Sequence, residues 1–520
     1  MTITIKNILI STFFLCLGVI IGASGYLLFC WHTCRPSSYV AVAHQVTGVC
    51  GKPFLLGFSS LAQETSIKTL TIKGKIPAWI HGTFLSIGPG QFEINESKAS
   101  HWLDGFAMVH RFTVQSGSVS YANKLIKTNY YKEAVKKGVI TGTTPDPSIS
   151  TWSKLKGALS SSTTRPMYDN VNINVFALGK QLMALTETPQ PICIDCHTLE
   201  TQNTQRFKDT MGAHFSSGHP LLDPNTNEWI NVGIQYALSS TYVVYKMSPD
   251  GKQRIALATV KTDRPSYVHS FALTKKYIVI TEMPLRVRSY DLLMQTKSFI
   301  DTHVWDPKGN SIFIIVDRNT GKVIDTIKTH PFFSLHHVNA FDTPQGLTVD
   351  IVTYKNPSIL KSLGFDHLYQ ATEHTFPLSA LERFELNLTT HTAQDRVLAK
   401  KNIEMPQINY RQFTMSPYTY VYGVSLSSPT HMANEIIKIN VKSGSHILWQ
   451  QAGCYPTEPV FIPAPQAKNE DDGILLCVVL DTANKNSFLL FLDAKNLKEL
   501  GRAIVPHHIP FTVHSSFMHP

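Results

Sequence analysis

The chain has 520 residues, 43% hydrophobic and 16% charged, enough apolar material for a large buried core, which excludes a disordered or fibrous protein. Its net charge of +10 is spread thinly: Lys136-Lys137 and Lys400-Lys401 are pairs, not the runs of basic residues that grip nucleic acid, so no nucleic-acid partner is expected. The 8 cysteines are scattered through a long chain, three of them in or beside the N-terminal apolar run, which excludes a small disulfide-stapled scaffold.

From Ile8 to Trp31 the chain carries no charge and is long enough to span a bilayer as a helix. Lys6 and the small residues Gly22-Ala-Ser-Gly also fit a secretory signal peptide, but the apolar run continues past them through Tyr26-Leu-Leu-Phe-Cys-Trp31. The expectation is therefore a single N-terminal transmembrane helix in residues 1–34 that holds the protein on a membrane, a linker over 35–65, and one folded domain over 66–520.

Beyond the linker, helical periodicity is scarce and short β-branched runs are frequent, as in Tyr277-Ile-Val-Ile-Thr, Ile312-Phe-Ile-Ile-Val and Ile474-Leu-Leu-Cys-Val-Val-Leu. One unit recurs: a strand, a polar turn, and a second strand. It begins at Arg111, Ile192, Tyr245, Ile315, Phe384, Ile437 and Phe491. Seven such outer hairpins predict an all-β, seven-bladed propeller, in which radial repetition hides the sheet edges. The residues left over per unit are loops that build a cap on one face, with helix-compatible stretches such as Ser358-Ile-Leu-Lys-Ser-Leu-Gly-Phe-Asp-His-Leu as candidates.

Several motifs carry no chemistry. Cys193-Ile-Asp-Cys196-His197 has the spacing of a covalent haem attachment, yet it occupies the turn of a repeated hairpin whose sister copies read Asp-Arg-Asn-Thr-Gly or Asp-Ala-Lys-Asn. Gly88-Pro-Gly90 lacks the spacing and the lysine of a phosphate loop, and no hydrolase elbow is present.

The remaining signal is histidine placed beside apolar runs. His214 and His219 share one turn, His219 before Pro220; His269 follows Tyr-Val, His336 follows Phe-Ser-Leu, and His514 follows Phe-Thr-Val. The inner strands of a propeller all run along one channel, so imidazoles from distant blades can converge there. Such a set suits iron, copper or zinc. Each ligating imidazole needs its other N–H fixed, and Glu187, Glu404 and Glu458, acids in apolar surroundings, are candidates to do so.

Ile76-Pro-Ala-Trp-Ile-His-Gly-Thr-Phe-Leu-Ser-Ile-Gly-Pro-Gly, His101-Trp-Leu-Asp-Gly-Phe-Ala-Met-Val-His-Arg-Phe and the closing Val513-His-Ser-Ser-Phe resemble the carotenoid cleavage oxygenases, closest to the animal branch. That branch holds β-carotene oxygenases and the retinal pigment epithelium retinoid isomerohydrolase. The resemblance implies a propeller with a helical cap over an axial Fe(2+) held by His219, His269, His336 and His514, with Glu187, Glu404 and Glu458 behind them. It implies that His219 lacks a carboxylate and that His337 is structural. The implied reaction is oxidative cleavage of a conjugated double bond in a lipophilic carotenoid or apocarotenoid with O2. Isomerisation and hydrolysis of a retinyl ester, or an inactive binding scaffold, are the alternatives. Two departures stand out: Pro145-Asp-Pro147-Ser148 replaces the branch's Pro-Asp-Pro-Cys, and Gly218 precedes His219 where the family has Ala.

Overall fold

Seven antiparallel sheets make up most of the computed structural model, which describes residues 52–142, 168–178, 181–209, 211–237, 239–248, 250–288, 291–292, 297–370 and 375–519. Each sheet is one blade. The seven hairpins expected from the repeats all form, as Phe106–Gln115 with Ser118–Leu125 in blade one and Asn486–Asp493 with Glu499–Val505 in blade seven illustrate.

A shared turn explains why unlike sequences repeat. In five of the hairpins the first turn residue is Asp195, Asp317, Asn387, Asn440 or Asp493, and its side-chain oxygen accepts from the backbone N–H groups two and three residues on. The residue four places on is then left-handed: Leu199, Gly321, His391, Gly444 and Leu497 have φ between 56° and 73°. At Gly321 the fit is closest, because an added Cβ would lie 2.1 Å from the Leu257 carbonyl oxygen of the neighbouring blade. The cysteine pair belongs to this pattern. Cys193 is buried against Met183 and Gln205, and the turn residue Asp195 accepts from His197 and Thr198, which follow Cys196.

The second strands of the blades are covered on both faces, and Gly346–Thr353 is buried along its whole length. That accounts for continuous apolar runs in place of strict alternation. The ring closes from both ends of the domain. Ser66–Ile67 and Thr71–Gly74 add outer strands to blades one and seven, and the C-terminal strand His514–Met518 lies innermost in blade one beside His81–Gln91, with His514 opposite Ile87. No single local segment contains this closure.

The cap is made of short pieces. Between two strands of blade five the chain forms the helices Ser358–Ser362 and Phe365–Leu368; Phe365 and Leu368 share one apolar cluster with Phe54, Phe58, Trp102, Phe376 and Phe511, while Ile359 and Leu360 of the first helix pack against the core that runs through blades three to five. Part of the stretch read as a linker is therefore packed: Pro53–Phe58 is a 3₁₀ turn whose Phe58 ring stands 5.2 Å from Phe511 and 6.1 Å from Trp102. The same cluster includes Val513 and touches Met405, neighbours in sequence of His514 and Glu404.

The expected membrane location is corrected. Among the described residues no helix is long and apolar enough to cross a membrane. The run from Ile8 to Trp31 lies outside the described residues, as does Pro145-Asp-Pro147-Ser148. Uncharged apolar length is the whole basis of the anchor reading, and targeting segments share that property.

Candidate metal centre

One side chain from each blade meets on the axis. His514 opens the innermost strand of blade one, Glu187 follows Gln181–Leu185 of blade two, and His219 sits in the turn before Leu221–Asp223 of blade three. His269 precedes Ala272–Leu273 of blade four and His336 immediately precedes His337–Thr343 of blade five. Glu404 begins Glu404–Gln407 of blade six, and Glu458 stands between Cys454–Pro456 and Val460–Pro463 of blade seven.

The four imidazoles turn their edges inward, their candidate ligand atoms all within 4.8 Å of one another. His219 Nε2 lies 3.1 Å from His269 Nε2, and His336 Nε2 lies 3.3 Å from His514 Nε2. Three of the rings are held from behind. His269 Nδ1–H donates to Glu187 at 2.7 Å, His336 Nδ1–H to Glu404 at 2.6 Å, and His514 Nδ1–H to Glu458 at 3.0 Å. His219 has no such carboxylate among the described residues; its backbone N–H donates to Ser217 Oγ at 3.1 Å.

This arrangement fixes ring orientation and tautomer. With the Nδ1 hydrogens committed to carboxylates, His269, His336 and His514 turn their Nε2 lone pairs to the axis. Two such lone pairs facing each other at 3.3 Å in His336 and His514 repel unless a cation lies among them. The donor set therefore fits a divalent metal. Burial, reinforced by the imidazoles of His514, His269 and His336, holds His219 well below the ordinary histidine range. Burial also lowers His336, against the opposing pull of Glu404. Burial acts the other way on Glu404, but His336, Tyr354 and the Met405 N–H outweigh it and keep the carboxyl low.

The other histidines separate cleanly. His337, next to His336, gives both ring nitrogens to hydroxyls, Ser270 and Thr281, each at 2.8 Å, and burial pushes it down to about 3. His214 accepts from the Tyr236 backbone N–H at 3.1 Å and is not in the group. At Gly218, a Cβ would come within 2.9 Å of Ile173 Cγ2, which accounts for the missing alanine.

Besides Tyr354, which bonds Glu404, three further residues not singled out in the sequence support the centre. Tyr267 O–H donates to Glu187 at 2.6 Å, Gln407 Nε2 donates to Glu458 at 3.0 Å, and the Ser515 N–H donates to the same glutamate at 2.6 Å. Tyr267 and Ser515 lie within two residues of a histidine already singled out, and Gln407 three residues after Glu404, so proximity in sequence is the signal available.

The model of the family described as Retinal pigment epithelial membrane protein matches residues 58–519. The chain belongs to that family. This is the carotenoid cleavage oxygenase family, in its animal-type branch, that the motifs resemble. Carotenoid-cleaving dioxygenase, mitochondrial, of Macaca fascicularis is 30% identical over 542 residues, 92% of this chain and 96% of its own. Beta,beta-carotene 15,15'-dioxygenase of Mus musculus is 30% identical over 508 residues, 86% of this chain and 88% of its own. Cobalt-substituted Synechocystis apocarotenoid oxygenase, a solved structure, superposes with a TM-score of 0.78 at 25% identity over 90% of this chain and 98% of its own.

Proposed function

We propose that this protein is a non-haem Fe(II) oxygenase that cleaves a conjugated double bond of a carotenoid or apocarotenoid with O2, giving aldehyde or ketone products. The observation that carries this reading is the convergence of four Nε2 edges with three of the opposite Nδ1 hydrogens tied to carboxylates. His219, His269, His336 and His514 would hold the iron, and Glu187, Glu404 and Glu458 would orient three of them. Bound there, ferrous iron would supply the redox chemistry that activates O2.

The chain's own residues supply positioning. Four neutral imidazoles leave the full charge on the ion, and no acid or base aimed at a substrate is needed in this scheme. Glu187 keeps the His269 Nδ1 hydrogen in place and is itself oriented by Tyr267, so that ring cannot flip without breaking its hydrogen bond to Glu187. Gln407 and the Ser515 N–H orient Glu458 in the same way. Apolar surroundings, including Val513 and the cap cluster, keep water from the axis.

The dioxygenase names of both relatives favour oxygen-dependent cleavage over the retinyl-ester reading. Purified protein incubated with β-carotene, an apocarotenal and a retinyl ester under labelled O2 tests the proposal. Label in a cleaved aldehyde is expected. Retinol formation from the ester without O2 uptake would overturn it.

A further inference from the structure

Among the described residues His219 is the one axial histidine with no carboxylate behind its ring, yet the peptide unit that leads into it is gripped at both ends. The carbonyl of that unit, Gly218 O, accepts from Asn174 Nδ2 at 3.0 Å, and its N–H, that of His219, donates to Ser217 Oγ at 3.1 Å. The two grips reach into different blades. Asn174 opens the strand Asn174–Leu178 of blade two, and its side-chain oxygen accepts from the Val175 N–H at 2.8 Å, which turns the NH2 end to Gly218. Ser217 is 1% exposed, and its hydroxyl donates to the carbonyl of His269 in blade four at 2.6 Å.

Ser217 is itself held. Its N–H donates to the Val232 carbonyl at 2.8 Å, and its carbonyl accepts from Asn231 Nδ2 at 3.0 Å. A carbonyl only accepts and an N–H only donates, so the hydroxyl proton has one place to go, toward His269 O. On the other side of His219, Pro220 restricts the backbone to extended conformations. With the main chain set, the ring stands edge-on against those of His269 and His514, whose centroids lie 4.7 Å and 4.3 Å away.

We infer that Ser217 and Asn174 are positioning residues for His219, fixing through its backbone what Glu187, Glu404 and Glu458 fix through the rings of the other three. The inference rests on the proposed metal centre and involves neither the carotenoid nor O2. Loss of either grip frees the His219 backbone and lets Nε2 drift from the shared centre, while the other three imidazoles stay on it.

Titration of the metal-free full chain with Co(II), followed by chelator competition and by visible absorption, tests this without turnover. Ser217→Ala and Asn174→Ala are each expected to raise the cobalt dissociation constant about tenfold or more and to shift the ligand-field bands. Ser487→Ala is the control: that hydroxyl is equally buried and accepts from the Ile509 N–H at 2.8 Å in the outer hairpin of blade seven, and its loss should leave constant and bands as in the wild type. A constant within a factor of two of the wild type, with unmoved bands, in Ser217→Ala or in Asn174→Ala would overturn the role of that residue. An equal change in Ser487→Ala would overturn both, since general loosening would then explain the effect. Should Ser217→Ala not fold, Asn174→Ala, where the side chain is only partly buried, decides by the same values. A wild type that binds no cobalt would instead overturn the metal centre itself.

Discussion

Two clusters of histidine and carboxylate among the described residues are built on opposite plans. On the axis, His269, His336 and His514 each give one nitrogen to a glutamate at 3.0 Å or less and aim the other at a shared centre. Between the outer strands of blades four and five, His330 faces Glu382 with Nε2 and Asp395 with Nδ1, each at 3.6 Å, too long for a hydrogen bond. Its side chain is 42% exposed against 5% for His336. The carboxylates of the first group hold the Nδ1 proton and leave Nε2 aimed at a shared centre; those of the second stand off both nitrogens of one ring and aim neither at a shared centre. Orientation, more than residue type or proximity, separates a ligand set from a surface cross-link.

The largest effect that sharpens this contrast comes from removing one ring of each group. His269→Ala should reduce bound iron and product formation to background, whereas His330→Ala should leave iron content and turnover as in the wild type; metal analysis and product assay on the same preparations read both. An iron-replete, active His269→Ala protein would put the metal elsewhere. A smaller loss should follow from the carboxylates: Glu458→Gln should weaken iron binding about 10- to 100-fold in a chelator competition, because the ring behind it loses its anchor. Asp395→Asn should not move that value.

Acid should affect the buried rings next. His337 and His110 are both pushed from 6.5 down to about 3, chiefly by burial. Their folded values lie below the unfolded one, so the stability they confer is complete above about pH 6.5 and is lost as pH falls below it, by about 1.4 kcal/mol per unit for each. Urea midpoints of metal-free protein between pH 7 and pH 5 should fall accordingly, and His337→Gln should flatten the slope. The smallest effect belongs to the periphery: His330→Phe should change unfolding free energy by less than about 1 kcal/mol, as half-exposed ion pairs do.

Much of this was legible before any coordinates. The hairpins showed because each is local: a turn acid or amide at Asp317 or Asn440 fixes five residues by bonds within the turn itself. The axial histidines follow apolar runs such as Phe-Thr-Val, a placement that core histidines share, and it is the resemblance of the surrounding motifs that joins His219, His269, His336 and His514 into one set. What stayed hidden depends on distant pairing. Nothing near Thr71–Gly74 announces that it closes blade seven, and Pro53–Phe58 reads as lead-in because its partners, Phe365 and Phe511, are hundreds of residues away. Tyr267 escaped notice since a tyrosine before a histidine has no distinguishing pattern until Glu187 is placed beside it. The membrane location was inferred from composition where no contact could test it.

X-ray absorption of the iron-loaded protein addresses the central claim most directly. Four nitrogen donors of imidazole type at about 2.0–2.2 Å are predicted, with that signature lost in His514→Ala. A spectrum dominated by carboxylate oxygen or by sulfur, or one unchanged by that substitution, would contradict it.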